Sequence, residues 1–416
     1  MDAIIGGGIT GLSYAYFNKS RETLLLERDD TLGGYCRTTR RNGFVWDYSG
    51  HFFHFQDPSI KDMVTTGMDA SPLVEISKQT HIRYKGLMVD YPFQKNIHQL
   101  PKEELLDCLY DLFAERPENY TNFEEMLYAK FGKSIAEKFL IPYNEKLYAC
   151  HLNTLDKDAM GRFFPYAERE EIIRNFRQGS NASYNGSFVY PKLGAIEYVN
   201  SIVARLAPET IRCSSNVVRI CPDRHTVVLS SGEELHYEHL ISTIPFPALL
   251  RMAGVAYDES VYTWNQVLDF NLGFDRKGSD TTNHWIYFPE KQYCFYRVGF
   301  YDNILNQDRM SLYVELGFPK HVEVRPHEWL GKVLTDLRKA GIVAENQILV
   351  DYESIVMNPA YVHINARSLS DVAEKKAQLS KQDIYSIGRY GSWTYCSIED
   401  NIKEAKELTR QIYGNK

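Results

Sequence analysis

The sequence predicts an α/β protein with three parts: a parallel-sheet dinucleotide-binding domain, an inserted helical domain and an antiparallel β-sheet domain. Three observations carry that prediction. Residues 3–27 read as strand, glycine-rich turn, helix, strand and acid. Residues 102–140 repeat apolar side chains at helical spacing, and residues 260–320 alternate as strands do. The dinucleotide-type pattern opens the chain, returns in its middle and closes it, so that domain is discontinuous. Its boundaries fall at 1–60, 187–250 and 376–416, with the helical domain at 97–186 and the antiparallel domain at 61–96 and 251–375.

Composition bounds what such a chain does. Its 416 residues leave room for two or three domains, each with its own core. A net charge of −7 excludes a general nucleic-acid footprint, so a few local arginines must meet any anionic ligand. The seven cysteines form no CxxC pair and read as reduced, buried thiols of a cytosolic protein. No apolar run reaches the roughly 18 residues of a membrane span, and the first residues enter a strand directly. Neither a span nor a signal peptide is therefore expected, and the glycosylation-type triplet at 181–183 carries no weight. Tyrosine is over-represented, at 29 residues, and its flat face and hydroxyl suit sugars, bases and cofactors.

Taken in order, a short apolar strand at 3–5 runs into Gly6-Gly7-Gly8-Ile9-Thr10-Gly11. Gly6 makes the tight turn, Gly8 lets backbone N–H groups approach a pyrophosphate, and Gly11 lets helix and strand pack closely. The following helix N-terminus, at Ile9 and Thr10, favours phosphate charge. A second strand, 23–26, ends in Glu27 and Arg28, and Glu27 is placed to accept bonds from an adenosine ribose. A second glycine pair, Gly33-Gly34, is followed by Arg37; glycines there admit a cofactor closely while Arg37 faces phosphate. His51 and His54 form an HxxH without a third ligand, so no metal is assigned.

The helical region begins at 102–118, with apolar residues at 105, 106, 109, 112 and 113. A second helix starts at Asn122 with Glu125 as its capping-box partner, breaks near Gly132, and is followed by a third at 133–140. Pro142-Tyr143-Asn144 reads by itself as a helix-ending turn. Gly132 and Gly179 are hinge candidates because glycine permits hinges. Strands return at 216–221, carrying Val217 and Val218, then at 226–229 and 240–243, where Pro245 and Pro247 end the run. Within HWIYFPEKQYCFYR (284–297), Phe288 and Phe295 form the buried face of the strands. The last helix starts at Ser397-Ile398-Glu399-Asp400 with apolar residues at 398, 402, 405, 408 and 412. Before it, Gly388, Arg389 and Trp393 form a glycine-rich segment, with Trp393 packing the last helix onto the dinucleotide domain.

The Gly33–Thr38 segment and Asp47-Tyr48-Ser49-Gly50-His51 resemble the FAD-binding flavoproteins of the amine oxidase and glutathione-reductase type. That implies a Rossmann-type FAD-binding domain whose cofactor meets Gly6, Gly8, Ile9, Thr10, Gly11, Glu27 and Arg28 at one end. It then meets Gly33, Gly34, Arg37, Gly50, His51, Val217 and Val218, and near the flavin Gly388, Arg389, Tyr395, Ser397 and Ile398. Spaced motifs over most of the chain resemble one family within that group, UDP-galactopyranose mutase, above all its eukaryotic-type members. They are GHFFHF (50–55), YPFQKNI (91–97), FLIPYNEKLYA (139–149), MGRFF (160–164), WIYFPEKQYCFYR (285–297), AY (360–361) and GRYGSWTY (388–395).

The resemblance implies interconversion of UDP-galactopyranose and UDP-galactofuranose for galactofuranose-containing polysaccharides. N5 of reduced FAD attacks the anomeric carbon and UDP is the leaving group. Arg297 and Arg162 would clamp the diphosphate, although one residue is missing just before Arg162; with His51 they are the catalytic assignments. Tyr361 and Tyr395 match tyrosines that bind diphosphate oxygens, and Trp285 and Tyr287 match rings beside the sugar. Tyr91, Phe93, Gln94, Phe139 and Asn144 match the uridine pocket, with Tyr148 where the family often has tryptophan. The implied partners are a UDP-sugar and a reductant such as NADPH or a reductase, in the cytoplasm; a homo-oligomer is compatible with the sequence. Departures are the short segment after Tyr395, His54 at an aromatic position, and PKLGA at 191–195 where the family has a glycine pair. Two alternatives stay open: a mutase of the same type on another nucleotide sugar, and an amine or protoporphyrinogen-type FAD oxidase.

Overall fold

Among the residues described by this computed structural model, 1–68, 72–178 and 186–414, two sheets organise the chain. Gly179 and the 181–183 triplet lie outside them. The first sheet is all parallel, in the order Ile384–Ser386, His239–Ser242, Asp2–Ile5, Thr23–Leu26, Ile211–Arg212. Its central strand, Asp2–Ile5, is buried at every position, as a parallel strand covered on both faces requires. Helix Ile9–Phe17 packs beside it, and the last helix, Ile398–Tyr413, packs on that helix. The expected capping box is present: Asp400 N donates to Ser397 Oγ at 3.1 Å, and Ser397 N donates to Asp400 at 2.8 Å. Ile402, Ala405 and Leu408 face the core, with Ile398 and Ile412 at its margin.

The second sheet runs Leu349–Met357, Asn265–Phe274, Ser311–Pro319, Arg297–Phe300, Trp285–Tyr287, Thr80–Tyr84, Leu87–Asp90. It is antiparallel except where Trp285–Tyr287 joins Thr80–Tyr84 in parallel. The Asn265–Phe274 strand is buried at all ten positions, so its alternation separates two interiors and not core from solvent. One face, with Leu268, Phe270, Leu272, Ile286 and Val298, packs with Val333 and Leu337 of helix Pro326–Lys339. Phe288 and Phe295 lie in the same layer, as expected. The opposite face carries the buried side chains of Asn265, Asp269 and Asn271, which grip other parts of the chain. Asn265 donates to Leu147 O, Asp269 accepts from Ser49 N at 3.0 Å, and Asn271 donates to Asp47 O at 2.8 Å.

Between the sheets in sequence lie helices Lys102–Phe113 and Phe123–Ile135. The first ends before Pro117 and buries Cys108 and Leu112 toward its neighbour. Leu106 and Phe113, expected on the apolar stripe, are 49% and 58% exposed because the buried face runs through 105, 108, 109 and 112. Asn122 caps the second helix, accepting from Glu125 N at 3.0 Å, but the Glu125 carboxylate turns to Thr121 N at 2.8 Å. That helix breaks at Gly132, where φ is +78° and an added Cβ would lie 2.6 Å from Asp111 O. Packing therefore explains this glycine without a hinge. The chain then stays helical through Ala136–Leu140 and Ile141–Tyr148. Pro142-Tyr143-Asn144 thus opens a helix and does not end one, since proline loses nothing in a first turn.

Three smaller expectations also change. Only Cys36 and Cys108 of the seven free cysteines are fully buried. Trp393 is buried, but edge-on to Tyr262 and Trp264 at 5.2 and 5.8 Å, at the entrance of the second sheet. Gly50 leaves room for the sheet as well, since a Cβ there would lie 2.7 Å from the Tyr313 hydroxyl. Among the described residues no helix is long and apolar enough to cross a membrane.

Candidate functional site

A cavity of about 990 Å³ runs from the glycine turn to the buried polar face of the second sheet. That is the upper end for small-molecule sites and leaves room for more than one ligand. At its first end Gly6, Gly8, Ile9 and Thr10 form the wall. Gly6 turns with φ at +107°, and a Cβ on Gly11 would lie 2.1 Å from Gly6 O, so Gly11 stands behind the wall as a packing residue. A Cβ on Gly8 would meet nothing within 4 Å, so the backbone opening helix Ile9–Phe17 faces free space. The second glycine pair closes on the first: Gly33 bridges Gly8, and its N–H donates to Gly7 O at 2.8 Å.

Glu27 reaches the wall while accepting from Gly7 N at 2.7 Å and Asp29 N at 2.9 Å. Arg37 lines the wall but is held by its own loop, pairing Asp29 at 2.9 Å. Arg28 stands at the rim with 75% of its side chain exposed. Val217 lines the cavity, whereas Val218 points to solvent from the other face of its strand. Arg389, Tyr395, Ser397 and Ile398 also line the cavity. Gly388 does not join them: it packs against Thr10, whose hydroxyl would lie 2.8 Å from an added Cβ. Gly50 and His51 line the middle. His51 Nδ1 is buried without a partner, and burial, helped by the Arg389 charge, pushes the ring down to about 4, so it is neutral. His54 bonds Ser187 O at 2.8 Å, and neither histidine belongs to a metal-type cluster among the described residues.

At the other end one row crosses the sheet. Asp269, Glu315, Arg297 and Tyr287 stand directly opposite one another on four neighbouring strands. Arg297 donates both Nε and Nη2 to Glu315, the second at 2.7 Å. Tyr361 and Tyr395 stack at 5.8 Å, with the Arg389 guanidinium over both rings at 5.1 and 4.7 Å. Arg162 enters from a separate segment, donating to Asp400 at 2.6 and 2.7 Å while lying over Phe163. Both arginines, with Tyr91, Tyr287, Tyr361 and Tyr395, are thus in one cavity wall.

Six expected substrate residues are not in that wall. Phe93 stacks on Phe139, Phe139 on Tyr143, and Tyr143 meets Tyr287 edge-on, so the first two stand behind lining rings. Trp285 donates to the Tyr287 hydroxyl at 2.8 Å and stacks on Phe52. Gln94 and Asn144 donate to Pro165 O and Leu140 O, and Tyr148 packs behind Tyr361. Gln94 Oε1, Asn144 Oδ1 and the Tyr148 hydroxyl are buried without partners, where such groups ordinarily have one. Sequence reasoning missed Glu315, Asp269, Tyr143, Phe52 and Asp400. Only strand register brings the first two to Arg297, and no local motif marks it.

Comparison with known proteins agrees with this architecture. The model of the NAD(P)-binding Rossmann-like domain matches residues 4–66. The crystal structure of a reduced UDP-galactopyranose mutase superposes with a TM-score of 0.90 at 26% identity, over 99% of this chain and 93% of that one. A protein assigned as a protoporphyrinogen oxidase from Exiguobacterium sp. 255-15 superposes at 0.77 with 19% identity, over 99% and 98% of the two chains. Protoporphyrinogen oxidase 1, chloroplastic, of Arabidopsis thaliana is 24% identical over 162 residues, 35% of this chain. The chain spans about 30% of the length of that curated relative. The likeness to UDP-galactopyranose mutase carried by the sequence motifs therefore extends in structure over nearly the whole chain, on a Rossmann-like nucleotide-binding domain.

Proposed function

We propose that the protein is a flavin-dependent nucleotide-sugar mutase interconverting UDP-galactopyranose and UDP-galactofuranose. The observation that carries this reading is one continuous cavity with a glycine cradle at one end and Arg297, Arg162, Tyr361 and Tyr395 at the other. The residues fit FAD: the backbone at Gly8 is open to the cavity, Glu27 reaches the wall, and His51 Nδ1 lacks a partner. Gly6, Gly8, Glu27, Gly33 and Gly34 would hold its dinucleotide, with Gly50, His51 and Arg389 nearer its ring. Bound in reduced form, it would supply a nucleophilic nitrogen for the anomeric carbon of the sugar.

The chain's own residues have separate tasks. Arg297 and Arg162 bind the diphosphate and stabilise the charge that grows as UDP departs. Tyr361 and Tyr395 donate hydroxyls to the same oxygens, and holding UDP in place lets it return. Tyr91, Tyr287 and Phe52 wall the sugar off from water. Neutral His51 offers a hydrogen bond without adding charge. Gln94 Oε1 and Asn144 Oδ1 are free acceptors of the kind a uracil N–H would satisfy. A cytoplasmic protein using NADPH or a reductase, and serving galactofuranose-containing polysaccharides, belongs to the same reading.

The decisive assay incubates the yellow protein with UDP-galactofuranose, with and without dithionite, and separates the sugar nucleotides. Turnover to UDP-galactopyranose only with reductant is expected. A second reading, an FAD oxidase, is favoured by the likeness to the protoporphyrinogen oxidases. Peroxide from an amine or porphyrinogen, with UDP-galactofuranose untouched, would establish it. Turnover of a different UDP-sugar would keep the mechanism and change the substrate.

A further inference from the structure

We propose that Asp269 is a positioning residue that stays a neutral carboxylic acid, so that the row Asp269–Glu315–Arg297 meets an incoming diphosphate with no net charge instead of a net negative one. The inference rests on the diphosphate reading of Arg297.

Geometry carries it. Asp269 lies at the centre of the Asn265–Phe274 strand with 0% exposure, directly opposite Glu315, which lies directly opposite Arg297. Two acids and one base thus occupy one buried row. Glu315 takes both bonds from the guanidinium, and Ser49 Oγ donates to it as well. Asp269 receives only Ser49 N, on Oδ2 at 3.0 Å, and its Oδ1 is buried without a partner. One cation cannot offset two buried anions facing each other across a strand pair.

Of the charges that act on Asp269, Arg297 is the cation, and Arg389 acts one step further out, on His51. Glu353 contributes negative charge from the neighbouring strand, and the Tyr301 and Tyr313 hydroxyls flank the pair. His51, close enough to feel Glu315, is neutral. Burial accordingly pushes Asp269 well above the ordinary carboxylate range, and the Glu315 charge pushes the same way.

The consequence falls on Arg297. With Asp269 neutral, Glu315 alone orients the guanidinium and the row does not repel a diphosphate. With Asp269 ionised, the row would be anionic where the ligand's own negative charge arrives. The same two acids hold Ser49 from both sides at φ +67°, two residues before His51, so they also fix the turn beside the nucleotide end.

Two measurements on the flavin-loaded protein test the proposal. Infrared spectroscopy at neutral pH is expected to show a buried carboxylic-acid carbonyl band that Asp269→Asn removes. A spectrum unchanged by Asp269→Asn overturns the assignment whether or not any ligand binds. Calorimetric titration with UDP is the second measurement. A neutral-for-neutral exchange in Asp269→Asn should move the dissociation constant by no more than about threefold. Tightening of about tenfold or more would show that a negative charge had been removed, and would overturn the proposal. Failure of the parent protein to bind UDP, with the infrared band present, would instead strike the diphosphate reading and leave the protonation state standing.

Discussion

Replacing Arg297 with alanine tests the site at its most consequential point. The side chain is 19% exposed and gives two of its five N–H donors to Glu315, which is 1% exposed. A diphosphate reaching this corner of the cavity would therefore meet a guanidinium already oriented and largely stripped of water. Losing one such preorganised charge at a leaving group costs about 3 kcal/mol, or roughly 150-fold in kcat/KM. The variant carries a second cost, because Glu315 loses its counter-charge in a buried place, worth about 3–5 kcal/mol of stability. Arg297→Lys separates the two: it keeps a cation but not the two-pronged fork, and should lose about tenfold in rate with a smaller loss of stability. Rates would be taken on UDP-galactofuranose with dithionite-reduced protein, alongside flavin absorbance and a urea unfolding midpoint. An Arg297→Ala protein with full flavin content and a rate within about threefold of the parent would refute the clamp.

Other expectations follow from the same geometry. Gly11→Ala places a Cβ 2.1 Å from Gly6 O, so it should cost at least about 2 kcal/mol and most of the bound flavin, read from melting and visible absorbance. His51 is held near 4, below its ordinary 6.5, so the unfolded chain binds a proton that the folded chain refuses. Its contribution to stability is whole above about pH 6.5 and is lost as pH falls toward 4, by about 2 kcal/mol near pH 5. Urea titrations at about pH 7 and 5 should show that loss shrink in His51→Asn. Lys146 donates to the carbonyls of Phe288, Glu290 and Tyr293 at 2.8, 3.1 and 3.0 Å, and also to Phe295. Lys146→Met should therefore lower unfolding stability by about 2–4 kcal/mol, and an unchanged midpoint would show that water replaces it. Asp400→Asn frees Arg162 from a carboxylate it holds at 2.6 Å and should tighten UDP up to about fivefold in a calorimetric titration.

What could be read from the sequence follows from how far apart the interacting residues lie along the chain. The glycine turn, Glu27 and the capped last helix are short-range devices, with the Gly7–Glu27 bond spanning twenty residues and the cap spanning three, so spacing along one strand–helix–strand unit or one helix turn locates them. Gly8 lies in the cavity wall while Gly388 and Val218 lie outside it, and one limit covers all three. A glycine or strand residue announces a backbone constraint, and only the neighbour across the gap, Thr10 or solvent here, says what the constraint is for. Arg297 could be found because it ends an aromatic motif, yet its meaning changes once Glu315 and Asp269 stand beside it. Those acids lie 18 residues after it and 28 before it, on strands whose pattern reads only as buried. Register is set by the whole sheet, so a charge row perpendicular to the strands has no signature along any one of them. The residues expected around uridine show the complementary limit: the motifs name Phe93, Gln94, Phe139 and Asn144 but say nothing of their depth. Phe93 and Phe139 stack behind Tyr143, and Gln94 and Asn144 keep buried acceptors without partners. A buried acceptor without a partner is costly enough to be rare. Two of them beside an aromatic stack suit a polar guest that would take their bonds, in keeping with the proposed nucleotide sugar.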